Sequence, residues 1–304
     1  MRLTPKTRRL VLLAPNKDRV PSSFSNASFD EGRHGSLLAD AQRLRGRIYL
    51  EDGAINASQL TSDGRHCVPN DDNSWHLLDL DANGEVCGCS RYFVHDNTVP
   101  FSQLGVRKAA LAQTDRWGQK LRWAIKADLE LARRRDLDYA EVGCWALRED
   151  LRGSTEAIRI ALGTYGLARS LGGCIGVTAA TVRHCSSSIL RRIGGKAMEA
   201  GGALLPSYHD PNYKCEMTIL RFDSSLPNPR YEPWIEQIRE ELRTAPVICR
   251  TAQRQVRRNG TVLSSVEAVT QTHSLRNLES MTARSPSWTE DFATANVKQG
   301  LARR

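Results

Sequence analysis

Residues 139–157 read YAEVGCWALREDLRGSTEA, and groups able to do chemistry are spaced along them. Glu141 is a carboxylate inside an apolar run. Strand alternation places it on the face of Tyr139, Gly143 and Trp145, aimed at whatever fills that side. It can serve there as a proton acceptor, or simply be a solvent-end carboxylate or a partner of Arg91. The run then enters a turn carrying Arg148, Arg152, Gly153, Ser154 and Thr155 before residues that open a helix. Unpaired N–H groups and the dipole at a helix start favour an anion, and the two arginines can add charge-assisted bonds. Gly153 permits close approach of a ligand. Ser154 reads equally well as a plain N-cap. Neither GxxxxGK[ST] nor GxGxxG spacing occurs, so this is neither a Walker loop nor a dinucleotide fingerprint.

Those residues need a framework. Leu37, Leu38, Ala41, Leu44 and Ile48 recur at helical spacing, predicting a helix over about 36–52. WHLLDLD (75–81) and EVCGCSRYFVH (85–95), joined through Asn83-Gly84, carry a hairpin signature. A long helical region is expected over 104–135, with Gly118 as a possible break. Strand 139–147 leads to helix 154–172, strand 174–182, helix 186–195, strand 215–223 and helix 234–243. Residues 1–33, rich in Ser, Asn, Pro and charge, read as a flexible basic arm. The domain spans 34–249, and 250–304 reads as a disordered basic tail. Strand–helix–strand–helix joined to an antiparallel half implies an α/β fold, with a mixed sheet covered by helices on both faces.

The 304 residues carry a formal charge of +9, but its placement matters more than its size. Residues 1–35 hold an excess of four positive charges and 250–304 an excess of five, while the middle has 27 of each sign. A nucleic-acid surface should cluster charge on the folded part, so nucleic acid is not the expected partner. Eight cysteines show no CxxC and no metal-ligand spacing, which suits reduced thiols, no metal site and a cytoplasmic location. VLLAP at 11–15 is too short for a membrane span. His184-Cys185-Ser186 are adjacent residues that do not face each other, and read as filler.

The order of elements and the run LREDLRGSTEAIRIAL resemble the acyl-binding core of the GNAT acyltransferase superfamily. That resemblance implies a mostly antiparallel sheet in which the central strand splays from its parallel neighbour, with phosphopantetheine or pyrophosphate on the following turn. Arg152, Thr155 and Ala157 align with the family's Arg-x-x-Gly-x-Gly/Ala, Thr155 standing for a glycine. Residues 41–195 are similar, more narrowly, to the acyl-homoserine lactone and N-acyl amino acid synthases. Arg45 and Tyr49 match that branch's first-helix pair, Asp71 or Asp72 its downstream acid, of which Asp72 is taken here. Gly88 and Arg91 match its strand motif, Phe101 its later aromatic and Glu141 its central-strand acid. Cys144 stands where the branch has arginine.

The resemblance implies an N-acyltransferase moving a fatty-acyl group from acyl-CoA or acyl carrier protein to the amine of a small acceptor, with no permanently bound cofactor. Glu141 would be the base and the main-chain N–H groups of Trp145, Ala146 and Leu147 the oxyanion donors. The Trp145 side chain would either wall an acyl tunnel or pack in the core. Arg148, Arg152, Gly153, Ser154, Thr155 and Arg183 would hold the donor, and Arg45, Tyr49, Asp72, Arg91 and Phe101 the acceptor. Thr155 and the basic clusters lean towards the carrier protein as donor. The alternatives are an acetyl-CoA-dependent N-acetyltransferase and a non-catalytic GNAT-like binding module with basic tails.

Overall fold

The computed structural model describes residues 8–16 and 20–251. Residues 252–304, where almost all of the expected basic tail falls, lie outside the described residues. In chain order the strands are β1 (Arg9–Leu13), β2 (Ala27–Phe29), β3 (Trp75–Leu80), β4 (Val86–His95), β5 (Asp138–Leu147) and β6 (Cys174–Thr181). The short strands β7 (Lys196–Ala197), β8 (Glu199–Ala200), β9 (Ala203–Leu204) and β10 (Tyr208–Asp210) follow, then β11 (Cys215–Asp223) and β12 (Val247–Cys249). The helices are α1 (Glu31–Glu51), α2 (Asp115–Arg134), α3 (Glu156–Ser170), α4 (Ser186–Ile193) and α5 (Glu232–Thr244).

One sheet runs β10-β11-β6-β5-β4-β3-β1-β12-β2, with β7 beside β11; β8 and β9 form a separate hairpin. Most neighbours are antiparallel. The parallel pairs are β5 with β6, β1 with β12, and β12 with β2. Helices α1 and α2 cover the face carrying Cys89 and Tyr139, and α3 packs on the other face together with α5. The mixed, mostly antiparallel α/β sheet expected from the sequence is therefore present.

Two expectations need correction. Residues 9–13 are no mobile arm: β1 sits inside the sheet between β3 and β12, with Leu10, Val11, Leu12 and Leu13 almost fully buried. Four such side chains contribute about 1.5–3 kcal/mol each on burial, enough to order a five-residue strand. β2, and Asp30, which caps α1 by accepting from the Arg33 N–H at 2.9 Å, tie down the rest of 20–33. The partner of β2, β12, lies one place inside, so β2 is the outermost strand on this side of the sheet. Finally, 104–135 is not one helix. Thr114 caps α2, and 101–113 forms successive 3-10 turns. Gly118 lies within the first turns of α2, where a Cβ would stand 2.4 Å from the Ala112 carbonyl oxygen, so glycine permits the turns to fold back on the helix.

Candidate functional site

The parallel pairing of β5 and β6 covers only Asp138–Glu141 against Cys174–Val177. Beyond it β5 continues to Leu147 alongside β4, while β6 continues to Thr181 alongside β11. The two strands thus splay from Glu141 onward, and the β5 edge facing β6 has no ladder partner from 142 to 147 among the described residues. Within that opening, the β4–β5 register shifts between Cys89 and Arg91, and Cys144 has φ 54°. A residue is inserted there as a β-bulge, which bends the strand and re-aims its main-chain groups.

The bulge also shifts alternation. Cys89, Arg91, Phe93 and His95 share one face of β4, opposite Ala146, Gly143, Glu141 and Tyr139 respectively. Ala146, rather than Trp145, continues the face of Glu141 and packs among the α1 residues. Trp145 falls on the opposite face with Leu147, which corrects the expectation that it lies beside Glu141. The Trp145 indole Nε1 is buried there without a hydrogen-bond partner.

Glu141 is held from two sides. Oε2 accepts from Gly105 N–H at 2.8 Å and meets His95 Nε2 at 3.0 Å, while Oε1 accepts from Val106 N–H at 2.8 Å. Burial alone would raise its pKa, but the bonds from His95, Gly105 and Val106 outweigh that and hold the carboxylate below its ordinary value. A carboxylate stabilised in this way is a poor proton acceptor on its own. What it does is fasten the 105–108 turn over the sheet and fix the imidazole of His95. Sequence spacing could not reveal this, because the contact joins residues 46 apart through the β4–β5 register.

On the α1 side, Arg45 is buried to 1 % exposure and donates to Asp71 at 2.6 and 3.1 Å and to the His66 carbonyl at 2.9 Å. Asp71 also accepts from Gln42 and from the Val68 N–H, and its carbonyl meets His76 Nε2 at 2.9 Å. Arg45 therefore ties the 66–71 loop to α1. Asp72, taken as the matching acid, does not join Arg45: it is exposed and bonds Arg250 at 2.9 Å, while the adjacent Asp71 makes the buried pair. Tyr49 donates through its hydroxyl to the Trp145 carbonyl at 3.2 Å, at the bulge, and its ring meets His66 edge-on. Arg91, opposite Gly143, donates to the Pro69 carbonyl at 3.1 Å and lies over the Phe93 ring; its Nε is buried and unpartnered. Phe101 packs against the α2 core with Arg122 over its ring.

Cys144, noted in the sequence as a departure from the branch, and Tyr213, which the sequence did not single out, join this group. Cys144 lies near enough to Arg45, Tyr49 and Tyr213 to bias the ionisation of all three. Tyr213, between β10 and β11, has its phenol pushed up to about 12, first by burial and then by Cys144.

On the donor side the expected cradle divides. Gly153 adopts φ 76°, as its turn requires. Ser154 accepts from the Glu156 N–H at 3.2 Å and donates to the Leu151 carbonyl, so its hydroxyl caps the turn. Thr155 precedes α3 without a side-chain cap bond. Arg148 is not in the cradle: it bonds Asp81 and Asp150, each at 2.8 Å, and is committed to the β3–β4 turn. Arg152 and Arg183 instead converge on the end of α1. Arg152 bonds the Asp52 carboxylate at 3.1 Å, and Arg183 donates to the Asp52 carbonyl and to the Lys214 carbonyl. The two arginines thus meet at Asp52, and Lys214, whose carbonyl accepts from Arg183, reaches Asn56 with its ammonium group. Among the described residues no group of three His, Cys, Asp or Glu side chains is placed to hold a metal ion. Nor, among them, is any helix long and apolar enough to cross a membrane.

Neither a family model nor a curated protein matches the sequence. The fold does match. The chain is similar to BjaI, a CoA-dependent acyl-homoserine lactone synthase solved with SAM and isopentyl-CoA: TM-score 0.50 and 12% identity over 82% of this chain and 96% of that one. MesI, another CoA-dependent acyl-homoserine lactone synthase, follows at TM-score 0.44 and 16% identity, covering 77% of this chain and 95% of its own. FeeM, an N-acyl amino acid synthase from uncultured soil microbes, gives TM-score 0.41 and 13% identity over 72% of this chain and 93% of its own. The chain has the GNAT-like fold of the acyl-homoserine lactone synthases.

Proposed function

We propose that this chain is an N-acyltransferase that moves an acyl group from a phosphopantetheine thioester to the amine of a small acceptor. The observation that carries the reading is the splay of β5 from β6 beyond Glu141, with the Cys144 bulge inside it. Such an opening admits a thioester edgewise. The main-chain N–H groups of Trp145 and Leu147 alternate towards that open edge, while those of Ala146 and Arg148 turn to β4. The Trp145 and Leu147 groups would bind the carbonyl oxygen as it becomes an oxyanion. The phosphates of the donor would lie towards Gly153 and Thr155, where Arg152, Arg183 and Lys214 leave a local surplus of positive charge over Asp52. The acceptor would enter from the α1–α2 face, past Tyr49, Arg91 and Phe101. A thiol with an ordinary pKa near ~8.5 leaves as thiolate without a general acid, so no protonating tyrosine is required.

The likeness to BjaI supports acyl-CoA as the donor, since that protein was solved with isopentyl-CoA. Acyl carrier protein offers the same pantetheine arm and is kept as the other donor form. The test is to express the full chain in a bacterial host and search extracts by mass spectrometry for N-acyl amines. New N-acyl amino acids or lactones are expected; extracts unchanged from those of the empty vector, with no acyl-CoA binding by purified protein, overturn the proposal. Exclusive formation of acetylated products would point to the acetyltransferase alternative.

A further inference from the structure

If the chain transfers acyl groups to an amine, the acceptor must lose a proton, and Glu141 is already bound by three donors. We infer that His95 is the general base and Glu141 its positioning residue, an inference that rests on the acyl-transfer reading above.

The geometry is that of an oriented imidazole. Glu141 is ionised and acceptor-only, so the hydrogen between it and His95 sits on Nε2, leaving the lone pair on Nδ1. The carboxylate cannot swing away, because the Gly105 and Val106 N–H groups grip both of its oxygens at 2.8 Å. The imidazole is therefore held in one tautomer and one orientation, and the positive charge it gains on accepting a proton lies 3.0 Å from a carboxylate. Its ring stacks edge-on over Phe93 at 4.3 Å, and the Arg91 guanidinium lies over that same ring at 5.5 Å. Phe93 thus stands between His95 and Arg91 on this face of β4, and Arg91 is paired with Gly143 beside the bulge. The charged and titratable groups around His95 are Glu141 and, across the ladder, Tyr139; Arg91 lies beyond the Phe93 ring, Asp96 is turned to Thr98 and Arg107 is exposed.

The step balances. The amine nitrogen attacks the thioester carbonyl carbon, and its proton passes to His95 Nδ1 directly or through one water. The C–S bond breaks to release the thiolate, and the imidazolium afterwards gives up its proton, to that thiolate or to water. Thioester and amine become amide and thiol, and the histidine is regenerated.

The test measures kcat and kcat/KM against pH with octanoyl-CoA and a mixture of the standard amino acids, for wild type, His95→Gln and Glu141→Gln. Glutamine at 95 can still donate to Glu141 but cannot accept the proton. His95→Gln is expected to lower kcat by about 10²–10⁴ with KM little changed, and to abolish the acid limb of the profile. Glu141→Gln keeps that limb at reduced kcat. Activity of His95→Gln within about threefold of wild type, with the same acid limb, overturns the inference while leaving acyl transfer standing. A wild type that makes no amide removes both. If His95→Gln melts below the assay temperature, diethyl pyrocarbonate applied to wild type decides. Activity loss tracking modification of His95, and blocked by substrate, supports the assignment; full activity with His95 modified overturns it.

Discussion

Arg45 and Asp71 face each other at 2.6 Å with 1 % and 5 % of their side chains exposed, and the 66–71 loop is fastened to α1 through that pair. Burial opposes the Asp71 charge, but the bond from Arg45 outweighs it and keeps the carboxylate below its usual range. Both ends carry further bonds, to His66, Gln42 and Val68, so the pair is satisfied as well as buried.

Removing one member leaves an uncompensated buried charge. Arg45→Ala is expected to cost about 3–5 kcal/mol of unfolding free energy, while Asp72→Ala, which breaks only an exposed pair with Arg250, should cost about 0–1 kcal/mol. Urea unfolding of the two variants checks this. Equal losses would mean that Asp72 and Asp71 had been ranked the wrong way round.

Cys144 holds a left-handed backbone conformation at the bulge. Glycine takes φ 54° freely, whereas a β-branched residue there is strained by about 1–3 kcal/mol. Cys144→Gly should therefore melt at or near the wild-type temperature and retain acyl transfer, and Cys144→Val should melt several degrees lower and lose it. An active, fully stable Cys144→Val would show that the bulge is not needed.

His76 is 1 % exposed, and burial lowers its pKa from 6.5 to about 4, with Arg45 and Arg91 pressing the same way. The unfolded chain then binds the proton more tightly than the folded one. Stability is fully present above pH 6.5 and is lost as pH falls from 6.5 through about 4, a change on the order of 3 kcal/mol. His76→Gln should flatten that window in unfolding free energy measured against pH. Glu141, a depressed carboxylate, adds a loss that begins lower, below its ordinary value of 4.5.

On the donor side, Arg152→Gln combined with Arg183→Gln should raise KM for acyl-CoA by about 10-fold or more, with a weaker dependence on salt than wild type. Arg148→Gln should leave that KM unchanged, because its partners are Asp81 and Asp150. Initial rates at two ionic strengths separate the two arginine groups.

The order of these elements was legible in the sequence wherever one side chain pattern decides the outcome. Periodicity placed α1, α3 and β4–β6, and Asn83-Gly84 placed the hairpin, because those signals are local. β1 escaped because its four apolar residues follow a basic segment, and only β3 and β12, distant in the chain, make it a central strand. Choosing between Asp71 and Asp72 needed the direction of a 3-10 turn, which adjacent identical residues do not encode. The His95–Glu141 contact depends on strand register, and Trp145 changed faces because one inserted residue at Cys144 reverses alternation. At the donor turn, composition located the arginines but not their partners, so Arg148 and Arg152 looked alike.

The most direct measurement follows amide and free thiol together when purified full-length protein is given octanoyl-CoA and a mixture of amino acids. One N-octanoyl product is expected for each thiol released, dependent on the amine and reduced by Arg152→Gln with Arg183→Gln. Thiol release without amide, or no release at any amine concentration, would contradict acyl transfer to an amine.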